Sequence, residues 1–161
     1  MAIFTVLSCT EKDEKLQEIT DVRYLQNTEL FNNSPCFSPA ATNIDDGFMI
    51  TNEQEYLQLA DSLRGEIYNY DCDTATLADI DFDENTLLGI LTGYGPCYDI
   101  TRSVLKDETN RKIIYKIDFK RKSVDCPEYY YYIAYINLNA VLIPKIATFY
   151  EPEFRVSWKE H

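Results

Sequence analysis

Between residues 51 and 65 the apolar side chains Tyr56, Leu59, Ala60 and Leu63 recur at three- and four-residue intervals, separated by polar positions. That spacing lays one apolar stripe along a helix. Thr51-Asn-Glu-Gln54 precedes it, and a Thr with a Gln three residues on forms a capping box, so Thr51 is the expected cap. Gly65 lies just past the stripe, where a left-handed conformation is easily adopted. The pattern predicts a helix over 52–63, packed by its apolar face on a sheet.

After residue 79 the period changes from helix-like to strand-like. Thr86 to Tyr94 is a run of large apolar residues ending at Gly95-Pro96. Arg102–Asp107 and Lys112–Phe119 flank the polar turn Asp107-Glu-Thr-Asn110 and are expected to pair as a hairpin. Tyr129–Ile136 is dense in aromatic residues of high strand propensity. Val141–Lys145 contains Pro144, which suits an edge strand, and the alternating Phe154–Trp158 could close the sheet. Before the helix, Asp21–Asn27 reads as a first strand and 32–39 as a turn-rich loop, with a chance glycosylation sequon at Asn32. One helix followed by strands on short polar connections argues for an α+β domain, mostly β. Its expected form is an antiparallel sheet, or a sandwich or barrel-like arrangement, with one principal helix.

The first nine residues change the picture from fold to address. The apolar Ala2 to Leu7, the small Ser8 and then Cys9 look like the end of a bacterial lipoprotein signal peptide, with Cys9 as the lipid attachment residue. No basic residue precedes the apolar run, and an ordinary first strand over Ile3–Leu7 is the competing reading. On the lipoprotein reading, 1–8 is a residual leader, 9–21 a charged flexible tether, and 22–161 one globular β-rich domain. The expected location is extracytoplasmic, anchored to a bacterial membrane through the lipid alone, since no apolar run approaches the ~20 residues that span a bilayer.

Composition supports this outline and excludes one partner class. The 161 residues, 45% of them hydrophobic, can build a core. Twenty-seven acidic against 15 basic residues leave a net charge of −12, which repels nucleic acid. Arg111, Lys112, Lys116, Lys120, Arg121 and Lys122 crowd into one segment and read as a solvated strand face and turn, with docking of an acidic partner as the lesser alternative. Oligomeric state is not legible.

With Cys9 assigned to the lipid, Cys36, Cys72, Cys97 and Cys126 remain, and four cysteines allow three pairings. Cys36–Cys72 and Cys97–Cys126 are the expected disulfides, because each pair brackets a separate stretch of chain. There is no C-x-x-C, and the only histidine is the terminal His161, so neither a zinc site nor a histidine-based catalytic site is expected. No cofactor motif occurs.

Two constellations could still carry function. Asp79, Asp81 and Asp83 begin like a calcium loop, but Asn85 and Ile90 stand where its glycine and bidentate glutamate belong; at most a weak calcium candidate remains. Tyr129, Tyr130, Tyr131 and Tyr132 would place rings on both faces of a strand, one set in the core and the other a candidate partner-binding surface.

Ile50-Thr-Asn-Glu-Gln-Glu-Tyr-Leu57, Ile80-Asp-Phe-Asp-Glu-Asn-Thr-Leu-Leu-Gly89, Gly95-Pro-Cys97 and Ile143-Pro-Lys145 together resemble the PrcB C-terminal-like domain of bacterial lipoproteins over roughly residues 48–160. The resemblance implies an accessory protein that stabilises a surface protease and is not itself a catalyst. The leading expectation is therefore a non-enzymatic lipoprotein domain that binds or stabilises a cell-surface protein. A carbohydrate- or calcium-binding module and a small secreted hydrolase working through carboxylates are the alternatives.

Overall fold

The computed structural model describes residues 16–37, 47–66, 71–94, 97–122 and 135–159. Two four-stranded sheets lie face to face. The first is ordered β1-β5-β6-β8, from Leu16–Glu18, Tyr98–Asp107, Lys112–Arg121 and Glu151–Lys159. The second is ordered β2-β7-β4-β3, from Arg23–Leu25, Tyr135–Pro144, Asn85–Tyr94 and Phe48–Ile50. Helices α1 (Asn27–Leu30) and α2 (Glu53–Leu63) complete the described elements. The domain is α+β and mostly β, a sandwich with one principal helix, as the periodicity predicts.

Strand alternation builds two cores on opposite faces of the second sheet. Leu88, Ile90, Val141 and Ile143 turn toward the first sheet and meet Val104, Ile113, Tyr115, Ile117 and Phe119. Leu87, Leu138 and Ala140 turn the other way and are covered by Tyr56, Leu59, Ala60 and Leu63 of α2 and by Leu30 and Phe31 beside α1. Burying a Leu or Ile side chain stabilises by about 1.5–3 kcal/mol, which makes these two layers the main source of stability. Gly89 faces the helix layer in β4, paired with Phe48 of β3, and a Cβ there would run into the Phe48 ring. Gly47 has φ +79° and lies against Phe154, so it joins the two sheets at a point only glycine fits.

Several expectations need correction. Thr51 is not the cap: Asn52 Oδ1 accepts from Glu55 N at 2.9 Å, so the cap sits one residue later, and Glu55 Oε2 reaches past it to accept from Thr51 N at 3.0 Å. Asn outranks Thr as a cap, which accounts for the shift. Gly65 does not take a left-handed conformation; the helix ends at Arg64 in extended geometry, and Gly65 N donates to Cys36 O. Leu16–Glu18, assigned to the tether, pairs with Leu105–Asp107. Open ladder groups on β5 can satisfy even a polar segment's backbone. Val141–Pro144 is no edge but the end of a ten-residue central strand; Pro144 is tolerated because it stands at the strand's last position. The last strand, β8, pairs parallel to β6, so the sandwich is not wholly antiparallel.

The hairpin of β5 and β6 forms as expected, paired from Tyr98↔Arg121 to Asp107↔Lys112. Its basic residues are a charge-paired strand face: Lys112 meets Glu153 at 2.6 Å, Lys116 meets Asp118 at 2.8 Å, and Lys122 lies 3.9 Å from Asp99. Cys36 and Cys72 form a disulfide. Cys97 is buried and disulfide-bonded; its expected partner Cys126 lies outside the described residues. Among the described residues no helix is long and apolar enough to cross a membrane.

Candidate functional site

Residues 71–83 join the helix layer to β4 without helix or strand of their own. Backbone carbonyls in such a segment need partners wherever they are covered, and side chains from three directions supply them. Asn32 Nδ2 donates to Leu77 O at 3.0 Å and to Thr76 O at 3.3 Å. Arg64 Nη2 donates to Ala75 O at 3.2 Å, and the Tyr56 hydroxyl to Ala78 O at 2.7 Å. Lys145 Nζ donates to Phe82 O at 2.6 Å and Thr51 O at 2.5 Å, tying the far end of this strap to the start of α2. The Cys36–Cys72 bond secures the near end. Asn32 can serve because its backbone is left-handed, φ 50°, a conformation Asn tolerates. Its amide is thereby engaged within the fold, against modification at the sequon.

Between strap and helix lies a cavity of about 680 Å³, half open to solvent. Its floor is apolar and aromatic, from Ala60, Leu77, and the rings of Tyr56 and Phe82, which meet edge to face at 5.2 Å. Its rim is acidic: Glu53 from the helix and Asp79, Asp81 and Asp83 from the strap. Leu57 projects beside them with 57% of its surface exposed. Burial, and secondarily the charge of Asp79, holds the Tyr56 hydroxyl well above its ordinary pKa, so it remains a neutral donor to the strap.

Lys145, Arg64 and Tyr56, the groups that could polarise a substrate, each donate to strap or helix carbonyls. The remaining charge on the rim is negative. An apolar trough edged by carboxylates complements a segment carrying both apolar and cationic side chains.

The sequence-predicted residues fall in different places. Asp79, Asp81 and Asp83 all line this cleft, but as a rim: Asp81 Oδ1 accepts from Asp83 N at 2.9 Å in a local turn. Among the described residues no three His, Cys, Asp or Glu side chains are grouped to hold a metal ion. Cys9, the Tyr129, Tyr130, Tyr131 and Tyr132 surface, and His161 lie outside the described residues. The cleft itself, with Arg64, Asn32 and Lys145, escapes a reading of the sequence. The Ile50–Leu57, Ile80–Gly89 and Ile143–Lys145 motifs contain several of its lining residues, but nothing local says that a lysine after a strand will reach back to residue 51. No family model, no curated protein and no solved structure matches this chain.

Proposed function

We propose that this protein is a non-enzymatic, extracytoplasmic domain, tethered by a lipid on Cys9, that binds a cell-surface protein partner through the cleft between α2 and the 71–83 strap. The observation that carries the reading is the cleft's composition: an apolar, aromatic floor beneath four rim carboxylates, with its cationic side chains already engaged by backbone carbonyls. The occupant that matches is an extended partner segment combining apolar residues with Lys or Arg. A net charge of −12 favours encounter with such a segment and makes the association salt-sensitive. The resemblance to a protease-stabilising domain agrees with a binding role, and the disulfide agrees with an oxidising compartment.

A photo-crosslinking side chain at Leu57 tests this in cells that make the full chain. The expected result is one dominant crosslinked protein, lost when Asp79, Asp81 and Asp83 are all changed to Asn and reduced at high salt. Absence of a discrete product, or a product indifferent to the triple change, overturns the assignment to this cleft. The tether is tested separately: Cys9→Ser should move the protein from the membrane to the soluble fraction.

A further inference from the structure

A second pocket, of about 220 Å³, opens at the junction of β2 and α1, and its chemistry is opposite to that of the cleft. Its lining includes Asn27, Thr28, Asn137, Asn139 and Arg102, and contains no carboxylate. Arg102 sits on the inward face of β5, between the two sheets. Its Nη2 donates to Asn139 Oδ1 at 2.7 Å, and Asn139 Nδ2 in turn donates to Thr92 Oγ1 at 2.7 Å. The guanidinium lies 5.7 Å from the centre of the Tyr24 ring, whose hydroxyl donates to Arg102 O at 2.9 Å.

The pocket lining itself supplies no anion. Among the described residues Arg102 makes no ion pair, in a chain where acidic residues outnumber basic ones 27 to 15 and Arg23, Lys106, Lys112 and Arg155 each pair with a Glu. Its Nε is buried without an acceptor. The hydroxyl of Tyr115, a residue only 1% exposed, is likewise buried and unpartnered, and Arg102 acts on it electrostatically. Of these two donors only Arg102 belongs to the pocket, and its buried N–H together with the guanidinium charge is met best by an acceptor that carries negative charge. Asn139 presents its oxygen to Arg102 and cannot supply that charge. Asn27 Nδ2 donates to Asn137 Oδ1 at 3.1 Å, which leaves its second N–H, with the Thr28 hydroxyl, as neutral donors of the kind a small oxyanion needs.

We infer that this pocket is a binding site for a small carboxylate, held by the Arg102 guanidinium and the polar lining contributed by Asn27 and Thr28. A carboxylate suits the planar fork of an arginine better than a spherical ion does. The volume is several times the ~30 Å³ share of one water, enough for a short carboxylic acid or the carboxylate of a peptide end. This site is independent of the strap cleft and of the partner proposed for it.

The full chain, labelled with nitrogen-15, would be titrated with sodium acetate at constant ionic strength, with sodium chloride as the matched control. Saturable shifts of the Arg102 Nε–H and of the Asn27 and Asn139 side-chain amides are expected with acetate and not with chloride. Arg102→Lys should weaken acetate binding about tenfold, since the fork is lost while the charge stays. Wild-type protein decides the matter even if substitutions at Arg102 misfold. Non-saturating shifts, or an equal response to chloride, would overturn the carboxylate site and leave only screening of the Arg102 charge.

Discussion

At the residue scale, the most consequential side chains are those whose neighbours leave no substitute. Asn139 joins Arg102 of one sheet to Thr92 of the other. Asn139→Leu keeps volume but strips both partners, and the unfolding free energy should drop by about 2–3 kcal/mol, read from denaturant melts. Gly89→Ala forces a methyl into the Phe48 ring and should cost about 1–3 kcal/mol, with Phe48→Leu in the same chain recovering part of it. Recovery of nothing would mean that the backbone, not the ring, rejects the methyl. Neither residue announces itself in sequence: an Asn in a strand and a Gly after two leucines both read as weak spots. Their value comes from partners 37 to 47 positions away for Asn139, and from Phe48 across the β3–β4 ladder for Gly89.

At the element scale, local rules hold where both partners lie within a few residues. The α2 stripe is visible because Tyr56, Leu59, Ala60 and Leu63 share one face whatever the helix packs on. The cap is legible only to within a residue, since Thr51 and Asn52 both qualify. Asn52→Ala should cost about 1 kcal/mol and Thr51→Ala much less, in the same melts. The β5–β6 turn is held by the Asp107 carboxylate, which accepts from Asn110 N at 2.9 Å and Asn110 Nδ2 at 2.8 Å. These bonds hold its pKa below the ordinary carboxylate value, the backbone one contributing most. A group whose folded pKa is depressed stabilises above its unfolded pKa and ceases to as pH falls through the folded one. Stability should therefore be level near neutrality and fall from about pH 4 downward, with Asp118 and Glu153, also depressed by their Lys116 and Lys112 partners, adding to the slope. Asp107→Asn should flatten that fall; an unchanged acid limb would assign it to other carboxylates.

At the scale of the whole molecule, the disulfide and the strap decide the shape of the candidate site. Cys36 and Cys72 close a loop whose ends are 36 positions apart and whose chain includes α2. Replacing both by Ser should lower stability by about 3–4 kcal/mol in the chain-entropy account. Amide exchange should rise most in 73–80, where the strap is held by a few side-chain hydrogen bonds from Asn32, Arg64 and Tyr56 and has no strand partner. If exchange rose evenly over both sheets, the bond would be stapling the global fold and not the cleft. The two pockets also differ in sign at this scale, one rimmed by four carboxylates and one centred on an unpaired arginine, so one chain presents two kinds of electrostatic complement.

The sequence by itself determined the mostly β class, the position of the principal helix and the β5–β6 hairpin, and it narrowed the cysteine pairing to three alternatives, of which the structure contains the expected Cys36–Cys72 bond. Each follows from periodicity, turn chemistry or cysteine count, which act over short spans or over few alternatives. Tertiary structure alone decided that β7 is central, that β8 runs parallel to β6, that Lys145 reaches Thr51, and that Arg102 meets Asn139. Those outcomes depend on which strand edges and buried donors find partners across the whole sandwich, and hydrogen-bond satisfaction in a packed interior is a global condition that no short window of residues contains.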